Sequence, residues 1–234
     1  MNFLLRLLEK YEFFLNENSY NQLNRFIELI INYPVNLTAI KDFEEASKSL
    51  VIDSIYPFMK FINLKNNASF LDIGTGGGIP GIPLSIIFPE VNFTLLDSIE
   101  KKIKAVNFFL KELGLKNVIP VNERVEIFSK KNLEQFDYVT AKAVSRSDVL
   151  LEYAAPLLKI NGLLFLYKGP TYRSEEREYL KKAMEKIYFE IIEEHYYELF
   201  GKERHFIVLK KTGKTPSSFP RKVGMALKKP LGGI

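Results

Sequence analysis

The stretch of this chain most able to do chemistry runs from Phe70 to Gly81 and reads F-L-D-I-G-T-G-G-G-I-P-G. An apolar run carrying Asp72 enters a turn rich in glycine, at Gly74, Gly76, Gly77, Gly78 and Gly81, and Ile82, Leu84, Ile86 and Ile87 follow. The pattern predicts a buried strand, a glycine turn and the start of a helix. In that geometry the backbone N–H groups at a helix N-terminus meet a ligand. Glycine suits it because the backbone must come close and some positions need a positive φ. Two ligands compete. Gly76-x-Gly78-x-x-Gly81 fits the dinucleotide fingerprint, and Asp72-x-Gly74-x-Gly76-x-Gly78 fits the acidic-plus-glycine pattern of S-adenosylmethionine (SAM) sites. A carboxylate at the end of the strand repels a pyrophosphate and suits SAM, which carries a sulfonium and an ammonium and no phosphate. Charge therefore favours SAM. The next apolar run, Val91 to Leu96, ends in Asp97, where an acid can accept hydrogen bonds from a ribose diol. Both ligands need that contact. Asp72 has a plainer alternative role, capping the turn.

The elements that must hold these residues alternate. Strands are expected at 68–73, 91–97, 117–121, 136–141 and 162–167, and helices at about 80–88, 99–113, 148–158 and 173–187. Short apolar strands between helices indicate a parallel sheet covered on both faces. Two last strands, Phe189 to Tyr197 and His205 to Leu209, are joined by Phe200-Gly201-Lys202 and should be antiparallel. An antiparallel strand closing a parallel sheet resembles the seven-stranded, Rossmann-like fold of SAM-dependent methyltransferases. Upstream, Leu4, Leu8, Tyr11 and Leu15 mark one helical face, with a cap offered at Asn18-Ser19. Leu23, Phe26, Ile27 and Ile30 mark a second helix that Pro34 ends, and Asp42 can cap a third. The chain divides into a helical lead-in (1–62), an α/β core (63–211) and a basic tail (212–234), read as a single domain overall.

Composition narrows the class. The 234 residues include no cysteine, which excludes disulfides, thiolate metal sites and cysteine nucleophiles. No metal site is expected. No uninterrupted apolar run suggests a signal peptide or a membrane span, so a cytoplasmic protein is expected. Net charge is +5. Residues 202–234 hold nine Lys or Arg against one acid, Glu203, so the excess lies in the C-terminal stretch. A basic tail on a near-neutral body suggests a polyanionic partner; a merely solubilising tail is the alternative.

G-T-G-G-G-I-P-G-I-P-L-S-I followed by F-P-E-V-N-F-T-L-L-D-S resembles the bacterial small-subunit rRNA guanine-N7 methyltransferases, the RsmG or GidB family. The resemblance runs from about residue 20 to 231. It implies a SAM site made of Asp72, Gly74, Gly76, Gly78, Ile79, Asp97, Val125, Glu126 and Lys142. Arg124-Val125-Glu126 resembles the segment that contacts the adenine of SAM. Lys142 stands where the family's T-A-R-A-V motif has arginine, so the charge is kept and the planar donor fork is lost. Leu166-Tyr167-Lys168-Gly169 resembles the L-K-G step beside the substrate pocket. Asn36 and Thr38, in an N-L-T-A-I segment, line the approach to the site in the resemblance. Thr215-Pro216 through Lys228-Lys229-Pro230-Leu231 resembles the family's ending, with Ala226 in place of a proline.

The implied partner is 16S rRNA or the 30S subunit, met by a monomer. Guanine N7 already carries an in-plane lone pair, so no general base is needed. His195 and His205 read as structural. The product purine is cationic, so Arg124, Lys168 and Arg221 are expected on phosphates or the guanine O6 edge, with Asn36 also on the RNA side. Two rivals remain: an RNA-binding or ribosome-assembly protein that keeps the fold without transfer, and a NAD(P)-dependent oxidoreductase. The second lacks a convincing histidine or tyrosine at the strand ends for handling hydride.

Overall fold

The structure is a computed structural model that describes residues 3–233. Met1, Asn2 and Ile234, at the ends of the expected lead-in and tail, lie outside the described residues. The chain opens with helices α1 (Phe3–Lys10), α2 (Glu17–Asn32) and α3 (Phe43–Ala46), then a π-helical stretch (Ser47–Ile52) and α4 (Asp53–Phe61). The alternating part follows as β1 (Ser69–Ile73), α5 (Gly81–Ile87), β2 (Asn92–Asp97), α6 (Glu100–Leu113), β3 (Val118–Asn122), α7 (Val125–Lys131), β4 (Phe136–Lys142), α8 (Ser147–Ala154) and β5 (Leu158–Lys168). It ends with a second π-helical turn (Tyr172–Glu176), α9 (Arg177–Ile187), β6 (Phe189–Leu199), β7 (Lys202–Lys211) and α10 (Met225–Lys228). The seven strands are ordered β3-β2-β1-β4-β5-β7-β6. Parallel pairing holds for β2 with β3, β1 with β4 and β4 with β5, while β7 runs antiparallel to β5 and β6. The antiparallel hairpin expected from the turn at Phe200-Gly201 is present. Among the described residues no helix is long and apolar enough to cross a membrane.

The chain forms two compact units, residues 1–68 with 75–122, and residues 69–74 with 123–234. In the first, α2 is the organising helix. Asn16 caps it, its side chain accepting from Ser19 N at 2.8 Å. Leu23, Phe26, Ile27 and Ile30 are buried along one face, as their spacing predicts. Phe26 meets Phe109 of α6 edge-on at 5.9 Å, and Gln22 donates to Leu113 O at 2.8 Å. Ser19 donates to Ile86 O, tying α2 to α5. Gly114, at φ +65°, closes α6 in the left-handed conformation that glycine adopts without penalty.

In the second unit, Phe70, Phe165 and Phe206 stack across β1, β5 and β7, with neighbouring centroids 6.2 and 5.8 Å apart. Lys211, at the end of β7, is fully buried. Its ammonium donates to Glu134 at 3.0 Å and to the carbonyls of Ala155 and Leu158 at 2.8 Å each. Burial lowers its pKa below the ordinary lysine range, with Glu134 pulling the other way. Lys211→Met keeps the length of the side chain and strips three acceptors of their donor. Its expected cost is about 2–4 kcal/mol, because an unmatched buried polar group is expensive. A urea titration checks it, and a midpoint equal to wild type would refute it.

Four local expectations need correction. Helix α1 stops at Lys10, so Tyr11 and Leu15 lie outside it; Tyr11 packs edge-on against Tyr56 instead. The cap of α2 is Asn16, not Asn18-Ser19, because Asn16 reaches the Ser19 N–H. Helix α8 ends at Ala154, not at residue 158, since Pro156 has no N–H to continue it. β5 then starts at Leu158, four residues before the expected 162, crossing Asn161-Gly162. Asn-Gly is a common turn pair, and inside β5 Asn161 takes φ +68° while a Cβ on Gly162 would stand 3.0 Å from Asp137 O, so glycine here serves a close strand approach. Helices α7 and α10 had no counterpart in the sequence reading.

Candidate active site

In the first unit the glycine turn is closed by its own backbone. Thr75 O accepts from Gly78 N and Ile79 N at 2.9 Å each, and Gly78 O accepts from Ile82 N at 2.7 Å. Gly76 and Gly78 have φ of +59° and +90°. Asp97, at the C-terminus of β2, is nearly buried, at 6% exposure. Its Oδ2 accepts from Gly76 N and its Oδ1 from Ile99 N, both at 2.9 Å. The acid thus joins the glycine turn to the start of α6. Lys102 Nζ lies 3.6 Å from Oδ2. Asn122, opposite Asp97 in the β2–β3 register, donates to its carbonyl at 2.9 Å. The Asn36–Thr38 segment reaches the same turn: a Cβ on Gly77 would stand 3.2 Å from Leu37 Cβ. Asn36 is exposed, and Thr38 Oγ1 accepts from Ile40 N.

In the second unit, Asp72 is fully buried beside Thr140 in the β1–β4 register. Gly74 follows at φ +71°, and a Cβ there would meet Val144 Cγ2 at 2.7 Å. Lys142, at the end of β4, holds its ammonium 5.7 Å from the centre of the Tyr167 ring. Val125 and Glu126 open α7, whose N-cap is Arg124. Arg124 is exposed, and makes no ion pair among the described residues. Glu126 is buried and its Oε1 accepts from Gly224 N at 2.8 Å. Lys168, at the end of β5, donates to Ser145 O at 2.9 Å and pairs with Glu176 at 2.8 Å. Desolvation lowers its pKa, and Glu176 opposes that. Ser147 donates its N–H and its hydroxyl to the same Glu176 oxygen.

The tail of this unit is strapped down. Thr215 donates to Ala155 O at 2.7 Å, Gly232 N to Asp148, and Lys186 to Leu231 O. Arg221 grips Glu152 through two nitrogens and also donates to Lys229 O. Val125, Glu126, Glu152 and Arg221 wall one small void of about 10 Å³. Of the nine cations in residues 202–234, Lys211 and Arg221 are therefore engaged internally, while Lys222, Lys228 and Lys229 stay exposed.

Side chains that fix these groups were missed in the sequence: Asn122 and Lys102 at Asp97, Glu176 and Ser147 at Lys168, and Glu152 at Arg221. Asn122 was legible in principle, being the polar residue at a strand end next to the acid. Glu152 lies too far along the chain from Arg221 for spacing to reveal it, while Lys102 and Glu176 are near their partners in sequence but carry no motif that marks them. The two histidines sit in the final hairpin. His205 is buried, which lowers its pKa, and His195 lies 2.7 Å from Glu193. Among the described residues no group of three or more His, Asp or Glu is placed to hold a metal ion.

Known proteins align with this arrangement. A family model described as rRNA small subunit methyltransferase G matches residues 19–207. The ribosomal RNA small subunit methyltransferase G of Petrotoga mobilis is 44% identical over 215 residues, covering 91% of this chain and 96% of that protein. The protein of the same name from Thermotoga neapolitana is 38% identical over 232 residues, covering 99% of this chain and all of its own length. Among solved structures, TYW2 of M. jannaschii, in complex with AdoMet, superposes with a TM-score of 0.53 at 17% identity, over 68% of this chain and 76% of that one. That likeness concerns the fold, an α/β Rossmann-like methyltransferase sheet. A family match across most of the chain, and two relatives matched nearly end to end, place this α/β protein with its acid-anchored glycine turn in the rRNA small subunit methyltransferase G family.

Proposed function

We propose that this chain transfers a methyl group from SAM to N7 of a guanosine in 16S rRNA, acting in the cytoplasm on the free RNA or on the 30S subunit. The observation that carries the reading is the Asp97 carboxylate bonded to Gly76 N of the glycine turn. These residues fit SAM. A carboxylate offers about four acceptor positions, so the two backbone bonds to Asp97 leave capacity for a ribose diol. Side-chain-free backbone at the half-buried Gly76 supports a close approach. The carboxylate of Asp72 opposes a pyrophosphate, which argues against NAD(P).

When bound, SAM supplies an electrophilic methyl on a sulfonium. The protein then needs to orient, not to move protons. Asp97 and the turn of Gly74, Gly76, Gly78 and Ile79 would position the cofactor, with Asp72, Val125, Glu126 and Lys142 in the roles the family resemblance gives them. N7 offers its lone pair without losing a proton, so alignment can supply much of the rate. Lys168 suits this chemistry because Glu176 compensates its charge, leaving no bare cation to oppose a cationic purine. Arg124 is exposed and available to phosphates. Arg221 would first have to leave Glu152, so Lys222, Lys228 and Lys229 are better placed for phosphate contacts.

The test is transfer of labelled methyl from SAM to small-subunit rRNA lacking the modification, given both as free RNA and as 30S particles. Label recovered as 7-methylguanine supports the proposal. SAM binding without transfer to either substrate refutes it. The rate at saturation should be flat between about pH 6.5 and 8.5, since no general base titrates in that range. A log-rate slope of one there would indicate a base.

A further inference from the structure

The solvent side of α2 and α6 carries a groove. It measures about 680 Å³ and is walled by Leu29, Tyr33, Pro34, Val35 and Phe108. Phe108 is 42% exposed, with its ring centre 5.8 Å from that of Tyr33. One exposed ring is ordinary, but this one has a distinctive setting. Lys101, Lys104, Phe108 and Lys111 are spaced three, four and three residues apart on α6, which puts them on one stripe of the helix. The three lysines are exposed. Lys104 pairs with Glu100, and among the described residues Lys101 and Lys111 make no ion pair. Arg25, Glu28 and Asn32 also line the groove, and Arg25 pairs with Glu28 and with Glu112, at 3.1 and 3.3 Å. Lys41 adds a cation at the end of α2, donating to Ile31 O.

Cations interleaved with an exposed aromatic ring beside an apolar trough match what single-stranded nucleic acid needs: phosphate contacts and a face on which a base can stack. The groove is also tied to the glycine turn. Its wall at Tyr33-Pro34-Val35 runs directly into Asn36-Leu37-Thr38. Residues from both sides of that wall, Ile30 and Leu37, close on the position a Cβ of Gly77 would take, at 3.0 and 3.2 Å.

We infer that this groove holds an unpaired nucleobase of the RNA substrate, stacked on Phe108, with flanking phosphates on the lysine stripe. The inference rests on the RNA reading above and adds a second nucleotide position to it. A charged stripe favours RNA over a second copy of the chain or an apolar peptide.

The chain contains no tryptophan, so Phe108→Trp installs a single fluorescent reporter in the groove. It is titrated with a single-stranded purine-rich oligoribonucleotide and with unmodified small-subunit rRNA. Binding is followed in parallel by anisotropy of labelled RNA. Emission should be quenched with the same midpoint as the anisotropy. Phe14→Trp, at a site 85% exposed between α1 and α2, should show no such quenching. Phe108→Ala should raise the KM for rRNA about tenfold, within the range for losing one stacked base, with SAM affinity and kcat retained. Lys104→Gln with Lys111→Gln should lower the salt slope of binding by about 1.4. Unquenched emission at RNA saturation overturns the inference, as does absence of RNA binding or an emission shift that follows protein concentration without RNA. Quenching without methyl transfer would support the groove while sinking the methyltransferase proposal. Transfer with a silent reporter would do the reverse.

Discussion

Gly78→Ala is expected to weaken SAM binding at least a hundredfold while leaving a folded protein. Gly78 sits at φ +90°, and a Cβ there would stand 2.4 Å from Ile82 Cδ1 and 2.7 Å from Cγ1. Ile82 is fully buried, so its side chain has little room to withdraw. The added methyl brings backbone strain of about 1–3 kcal/mol and overpacking of about 1–3 kcal/mol. The cheapest relief is to unwind the turn that Gly78 N and O hold to Thr75 and Ile82. That change removes the shape on which SAM binding depends, and about 2.7 kcal/mol of lost shape already equals a hundredfold. Calorimetric titration with SAM, beside a thermal melt, reads both effects. Gly114→Ala is the comparison, because Gly114 has φ +65° with nothing within 4 Å of the added Cβ. It should lose some stability and keep SAM affinity. A Gly78→Ala protein that binds SAM within threefold of wild type would remove the glycine turn from the cofactor site.

The second large effect is at Asp97. Asp97→Asn should lower SAM affinity about 10- to 100-fold, and Asp97→Ala should lower it further. Both carboxylate oxygens accept from backbone N–H groups, Oδ2 from Gly76 and Oδ1 from Ile99. Asparagine has one oxygen, so its NH2 must face one of those donors. A hydrogen bond to a charged group is worth about 1.5–3 kcal/mol, which sets the scale for the first variant. Alanine loses both bonds and the acceptor proposed for the ribose. Asp97→Glu keeps the charge but carries the oxygens farther out, so it should not restore affinity. An Asp97→Asn protein with wild-type SAM affinity and kcat/KM would refute an acceptor role for this acid.

The two variants probe features of different legibility. The glycine turn and Asp97 could be read directly from the chain, since strand, turn and helix are set by residues a few positions apart. Short-range periodicity also marks α2, α6, the alternating strands and the antiparallel hairpin. It fails where two local signals conflict. Asn161-Gly162 carries a turn signature inside β5 because glycine answers both to turns and to close backbone approach. Val125 to Lys131 is one short helix that follows directly on a strand, so its apolar spacing is too brief to stand out.

The sequence by itself therefore determined the sheet with its glycine turn, the acid at the end of β2, the family and the location of the positive charge. Which cations remain available was decided only by the tertiary structure. Lys211 lies 77 residues from Glu134, and Arg221 lies 69 from Glu152. Lys168 meets Glu176 only because the turn after β5 folds back, and the groove beside Phe108 exists only because α2 packs on α6. A charged side chain reads the same in a sequence whether it faces water or a buried carboxylate. The difference is made by desolvation and partner geometry, which arise when distant segments pack together.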